Sequence, residues 1–503
     1  MAIKRFFANK NNTITNAFKA DLSTRATGSN MGESDVLEVF HLYGQASGTN
    51  GGGTDELSRI LIDFPVTTDI AAARTAGTIP ASGNVDFYLR MFDAPHTETT
   101  PTQITLTVAA ISQSWTQGTG LDMTTYKNNG VSNWIKAASS TTWKEGTEGT
   151  EVEGGSFHTG SLAVTSSQYF ARGTEDLTVS VTHQVEEWLK GNTGSYGFGV
   201  FLTSSQETDQ ESHYTKKFFA SGSEFFFKRP IIEARWDDSI KDDSTNFYIS
   251  SSRATATDNL NTIYFYNYVR GQLANLPSST TAGPIWLSIY SGSSDNTQPS
   301  GSKLYLPVGG GVATKGDTNI TGGQTTTTGI YSASFAYVSS SVTQFFPVWH
   351  YNSTTYYTGS AITPKSFDHG SVYPIKDYVV NVTNLKTVYS PKDAARFQLY
   401  VRPRDWNPTI YTVAKTKIEN KIIEKAYWQL RRVVDDLIII DYGNGTGNGA
   451  YTLMSYDASG SYFDLDMSML EAGYSYELKF MFNVAGDDQV QNNSFKFRVE
   501  NGN

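Results

Sequence analysis

The chain has no cysteine, so neither a disulfide nor a thiolate metal centre can hold any part of it together. Charge is also scarce, at 17% of 503 residues, against roughly 25% in an ordinary soluble protein. The surface must therefore be built largely from Ser, Thr, Asn, Gln and Gly. The charge that is present is acidic in balance, with a formal net charge of -10. The basic pairs Lys4-Arg5, Lys216-Lys217 and Arg431-Arg432 stand alone. A nucleic-acid partner needs a basic face to neutralise phosphates, so none is expected. Long apolar runs are missing too. Leu437-Ile438-Ile439-Ile440 is among the longest, far short of the roughly 18 residues of a membrane span. The opening Met1-Ala2-Ile3-Lys4-Arg5-Phe6-Phe7 turns polar without the apolar stretch of a secretion signal. The expectation is a protein made in the cytosol, not inserted in a membrane, that stays there unless it leaves by lysis.

What is present points to β-structure. Hydrophobic residues make up 38%, enough for several cores, and aromatics 13%, with 29 Tyr and 28 Phe. These residues and the abundant Thr suit a pleated, half-buried surface, while Gly and Asn suit tight turns. The length favours several domains over one.

The pattern along the chain predicts an all-β, multi-domain protein. Residues 1–35 read as a polar N-terminal arm, in which Phe6 and Phe7 would dock on a neighbouring subunit. Residues 36–236 carry short alternating runs such as Val36-Leu37-Glu38-Val39-Phe40-His41-Leu42-Tyr43 and Ile104-Thr105-Leu106-Thr107-Val108, as in a sandwich or jelly roll. Val185-Glu186-Glu187-Trp188-Leu189 interrupts them as a short helix ended by Gly191. The charged joint Trp236–Ser244 and a second joint near Pro374-Ile375-Lys376-Asp377 divide the remainder. Two immunoglobulin-like β-sandwiches are expected there, over 237–376 and 377–503.

Chemistry-bearing motifs are few. The seven histidines (His41, His96, His158, His183, His213, His350 and His369) lack any His-x-His or His-Glu-x-x-His spacing. No metal or cofactor is expected on that ground. Asp237, Asp238, Asp242 and Asp243, or Asp464 with Asp466, would bind calcium only if a loop gathered them; a solvated linker is the commoner meaning of such a run. No paired-carboxylate geometry can be read from Asp435-Asp436 or from Glu145, Glu148 and Glu151. There is no Gly-x-Ser-x-Gly elbow. Gly309-Gly310-Gly311 and the run Gly443–Gly449 read as turns rather than phosphate loops. No enzymatic activity is expected. Trp115, Trp134, Trp143 and Trp188 cluster in the jelly-roll region. An exposed indole can stack on a sugar ring, while a buried one anchors a core. Trp115 and Trp143, beside Gly- and Thr-rich loops, are the candidate glycan-binding residues.

Two resemblances add to this reading. Residues 36–236 resemble the DNRLRE-type jelly roll, a relative of carbohydrate-binding modules. The matching series runs from Ser58-Arg59-Ile60-Leu61-Ile62-Asp63-Phe64 and Tyr88-Leu89-Arg90-Met91-Phe92 through Ser114-Trp115 and Ser132-Asn133-Trp134. It continues with Thr142-Trp143, Asp176–Thr182 and Glu187-Trp188-Leu189. This implies a β-sandwich scaffold and leaves the ligand open. The whole chain is also similar to virion structural proteins of marine tailed phages, such as those infecting cyanobacteria. The residues that carry this likeness are Met1–Met31, Tyr214-Thr215-Lys216-Lys217-Phe218-Phe219 and Phe225-Phe226-Phe227-Lys228-Arg229-Pro230. It implies an accessory virion protein at the tail, neck or baseplate, gripped by other virion proteins and by further copies of itself. A capsid decoration protein, or an adhesin for a host-surface glycan, is the alternative.

Overall fold

The computed structural model describes residues 2–47, 53–123, 131–145, 149–158, 164–251, 253–255, 259–276, 285–292, 301–304, 320–325, 328–338, 342–351, 354–366, 377–405, 420–443, 450–484 and 486–502. The Gly-rich connections at 48–52, 309–311 and 444–449, part of the Glu145–Glu151 loop, His369 and the joint at 374–376 lie outside them. The fold is all-β and multi-domain. The chain packs as two compact units. The first comprises Met1–Asp237 with Gly443–Thr452 and Ser468–Glu471; the second comprises Asp238–Tyr442, Leu453–Met467 and Ala472–Asn503.

The first unit carries β1 (Ile3–Phe7), β2 (Lys10–Thr15), β3 (Val36–Ser47), β4 (Gly53–Asp63), β5 (Asp86–Met91), β6 (Ile104–Ala110) and β7 (Lys136–Ala138). These are followed by β8 (Thr141–Lys144), β9 (Glu151–Val152), β10 (Thr165–Phe170), β11 (Leu177–Ser180), β12 (Phe198–Leu202), β13 (His213–Phe219) and β14 (Ile231–Arg235). A four-stranded sheet runs β1-β14-β5-β11, and a seven-stranded sheet runs β10-β6-β12-β4-β3-β13 with β2 added to β4. Strict alternation explains the layering. Phe87 and Leu89 of β5, and Ile104 and Leu106 of β6, are buried while the residues on either side of each are not. Helix α1 (Ala71–Thr75) is short; α2 (Thr182–Lys190) ends where Gly191 adopts φ +75°, the left-handed turn that suits glycine.

Residues 1–35 are not an arm. β1 pairs antiparallel with β14, and β2 pairs with β4 in the register Lys10↔Asp63 to Thr15↔Ser58. Polar composition misleads here because the side chains are bonded internally. Asn12 is fully buried, its amide donating to the backbone oxygen of Ser132 at 3.0 Å while its oxygen accepts the Met31 N–H at 2.9 Å.

Buried charge in this unit is densely paired. Glu233 of β14 lies between three guanidiniums, those of Arg5 at 2.8 Å, Arg90 at 3.3 Å and Arg235 at 2.6 Å. Burial alone would favour the neutral acid, but the fields of Arg5, Arg90 and Arg235 hold the carboxyl far below the usual range. Lys216 on β13 is likewise fully buried, its ammonium bonded to Asp93 and to the backbone oxygens of Gly173 (2.8 Å) and Glu175 (3.0 Å).

The second unit begins with β15 (Asn261–Tyr266), β16 (Tyr268–Val269), β17 (Gln272–Leu273), β18 (Ile285–Tyr290), β19 (Ile320–Gln324), β20 (Ile330–Phe335), β21 (Phe346–Tyr351) and β22 (Thr354–Thr358). Their main sheet runs β15-β20-β19-β18-β21-β22. β19 divides its pairing between β18 and β20. Phe265 of β15 then stacks on Trp349 of β21 at 5.9 Å and on Tyr357 of β22 at 5.2 Å, so the two ends of the sheet face each other across one core.

The last sandwich contains β23 (Tyr378–Val382), β24 (Val388–Tyr389), β25 (Ala394–Pro403), β26 (Ala426–Arg432) and β27 (Leu437–Ile440). It is completed by β28 (Ser455–Asp457), β29 (Gly460–Asp466), β30 (Ser475–Val484), β31 (Asp487–Val490) and β32 (Phe495–Val499). The sheet β23-β25-β29-β28 opposes β24-β32-β30-β26-β27. Phe463 of β29 stacks on Trp428 of β26 with centroids 4.7 Å apart, joining the two layers. Among the described residues no helix is long and apolar enough to cross a membrane.

Candidate functional site

The sugar-platform reading of Trp115 and Trp143 is corrected by the structure. Trp115 is 4% exposed and Trp143 0%, and both belong to a cluster with Ile14, Leu61, Ile111, Trp134 and Ala137. Each indole N–H is bonded within the chain, Trp115 to the Tyr196 oxygen at 2.8 Å and Trp143 to the Asn133 oxygen at 2.9 Å. They are core anchors with no face left for a ligand. Phe6 and Phe7 are also used internally. Phe6 is buried in β1 opposite Ile232, and Phe7 packs on Phe226 at 5.1 Å. Neither can serve as a free docking side chain while β1 is paired.

The aspartates separate by environment. Asp464 on β29 is held by both forks of Arg396, at 2.8 and 3.0 Å, so a guanidinium occupies the place expected for a cation. In the joint, Asp242 and Asp243 are drawn inward rather than solvated. Segment 240–243 is pinned to β28 by backbone bonds, Asp242 N–H to the Tyr456 oxygen at 3.0 Å and Tyr456 N–H to the Ile240 oxygen at 2.9 Å.

This pinning forms a polar cleft of about 330 Å³ within the second unit, lined by Lys241, Asp243, Asn246, Tyr248, Glu424 and Tyr456 among others. Asp243 accepts the Thr262 N–H at 2.7 Å on one oxygen and the Tyr456 hydroxyl at 2.8 Å on the other. Burial pushes its carboxyl up, and these two hydrogen bonds only partly offset that. The charges of Glu424 and Asp242 add to the rise, bringing it to about 6. Glu424 receives the Asn246 amide at 3.2 Å, and Lys365 reaches the oxygen of that amide at 3.4 Å. Asn259 and Asn261 are committed to the scaffold. Asn261 bonds both backbone groups of Tyr248, at 2.9 and 3.0 Å, and Asn259 does the same for Ser251. The cleft thus combines a carboxyl whose hold on its proton is raised by burial, a second acid, a lysine and two phenols. Such a lining suits a small polyhydroxylated or cationic ligand. From sequence this segment is a solvated linker; the signal for its burial lies in Thr262, Glu424 and Tyr456, all distant along the chain.

The histidines behave similarly. His41 and His213 look scattered in sequence, but β3 and β13 place them directly opposite one another.

No family model matches this chain. No curated protein matches it either. Among solved structures, a marsupial T cell receptor aligns at 8% identity over 48% of this chain and 68% of that one, with a TM-score of 0.16.

Proposed function

We propose that this protein is an accessory structural component of a tailed-phage particle, acting through protein–protein contacts at the tail, neck or baseplate rather than by turnover. The likeness of Met1–Met31, Tyr214–Phe219 and Phe225–Pro230 to phage virion proteins supports the setting. The observation that carries the reading is the β26–β27 hairpin. Its tip residues Val433 and Val434 are 39% and 72% exposed, and Ile438 on β27 is 43% exposed. Two ion pairs brace this apolar tip, Arg431–Asp436 at 2.9 Å and Arg432–Asp435 at 2.7 Å. β27 ends its sheet. A preformed apolar tip on an edge strand is a liability for a solitary chain and an asset for one covered by a neighbour. The β16–β17 hairpin repeats the feature, with Tyr268 and Val269 more than half exposed.

Cryo-EM of purified particles tests this directly, by locating density for the chain on a symmetric ring. Val434→Glu is expected to leave the melting temperature unchanged and to abolish incorporation into particles. Normal incorporation of that variant would remove the hairpin from the argument, and absence of the chain from particles would end the reading. A glycan-binding adhesin is the second reading, favoured by the polar cleft around Asp243 and Glu424 rather than by tryptophans. It requires binding to a host polysaccharide that Glu424→Ala abolishes.

A further inference from the structure

His41 lies on β3 and is fully buried. Its Nε2 meets the Asp55 carboxylate at 3.2 Å, which makes that nitrogen the N–H donor of the pair. The other nitrogen, Nδ1, is the one left to take a proton or a cation. It has no hydrogen-bond partner. What it faces is a further acceptor, the Asp209 carboxylate, 3.5 Å away. A buried ring nitrogen 3.5 Å from a carboxylate with no hydrogen bond between them is a place for a shared positive charge, a proton or a metal ion. His213, the first residue of β13, completes the group. It pairs in register with His41 and meets the second oxygen of Asp209 at 2.9 Å.

We propose that His41, Asp209 and His213 bind one first-row divalent cation of the zinc type, with Asp55 orienting His41 from outside. One ligand atom from each of the three residues lies within 4.8 Å of the others. Bonds of about 2.0–2.1 Å to nitrogen and oxygen place tetrahedral ligand atoms roughly 3.3 Å apart, so binding draws the three together. Two imidazoles with one carboxylate favour zinc, cobalt or nickel over calcium or magnesium, which take oxygen ligands. The Asp55–His41 bond is the carboxylate–histidine arrangement that fixes the tautomer of metal-ligating histidines. Entry is open from the carboxylate side, where Asp209 is 32% and Asp55 48% exposed. β13 ends the seven-stranded sheet. A cation here clips that edge strand, and the turn holding Asp209, onto β3.

The test uses the untagged full chain, stripped with chelator and titrated with Zn²⁺ against a chromophoric competitor, with Co²⁺ absorption as a second readout. One equivalent is expected to bind, with a tetrahedral Co²⁺ spectrum and a melting temperature that rises with Zn²⁺. Asp55→Asn should weaken binding about 10–100-fold, and Asp209→Asn or His213→Gln at least as much. His183→Ala, at an exposed histidine, should change nothing. If wild type binds no more tightly than Asp209→Asn and His213→Gln, the site is overturned. It is equally overturned if NMR finds both His41 nitrogens protonated and unmoved by Zn²⁺, an imidazolium ion pair only. Should His213→Gln fail to fold, Asp209→Asn, a change in a turn, decides alone.

Discussion

Glu233 and Asp243 are both carboxylates drawn into the interior of an all-β chain, yet their surroundings give them opposite proton affinities. Glu233 faces three guanidiniums and stays charged. Asp243 faces a backbone N–H, a phenol and two further acids, and moves to about 6. Burial is common to both, so it does not decide the outcome; the sign of the neighbouring charge does. The first arrangement is structural cement, while the second leaves a group able to change charge near neutral pH.

The strongest way to break this contrast is Glu233→Gln. Three guanidiniums would lose the anion they share, and a loss of about 3–5 kcal/mol is expected in chemical denaturation. The depressed carboxyl contributes stability above the ordinary glutamate range, and that contribution is lost as pH falls toward its folded pKa.

Asp243→Asn acts in the opposite direction. Between about 4 and 6 the folded chain holds a proton at Asp243 that the unfolded chain has released, so stability falls as pH rises through this window. Above it, the ionised carboxylate costs up to about 2–3 kcal/mol. The amide keeps an acceptor for Thr262 and offers a donor to Tyr456. The variant is expected to be more stable than wild type at pH 8 and equal to it at pH 4, as read by thermal melts at both values.

Tyr456→Phe sharpens the contrast by removing one donor to the carboxylate. It should raise the Asp243 titration midpoint above its wild-type value, seen in carboxyl-carbon NMR. The lost hydrogen bond should cost about 0.5–1.5 kcal/mol. The smallest effect belongs to a pair that is half-exposed to solvent. Arg396 and Asp464 are 56% and 40% exposed, and Arg396→Ala should cost no more than about 1 kcal/mol.

The strands were readable in the sequence because period-two burial leaves a local mark, as in Asp86–Met91 and the first half of Ile104–Ala110. The helix at Thr182–Lys190 was readable for a similar reason, with Gly191 closing it. Burial of polar residues leaves no such mark. Asn11, Asn12 and Thr13 have the composition of a loose terminus, yet all three are buried in β2. Trp143 beside a Thr-rich turn reads the same whether its indole faces solvent or Ile14 and Leu61. Asp243 and the His41–Asp209–His213 group share this limit, since their environments are assembled from residues far apart in the chain.

The late segments Gly443–Thr452 and Ser468–Glu471 belong to the first compact unit. The guanidinium of Arg235, which pairs with Glu233, lies over the ring of Tyr451, 4.8 Å from the ring centroid. A ribosome that has emitted residues 1–237 has therefore not yet supplied everything that unit needs. A gene cut at that natural-looking joint would yield a fragment with an incompletely covered arginine. Anyone dissecting the molecule should bring the distant pieces along.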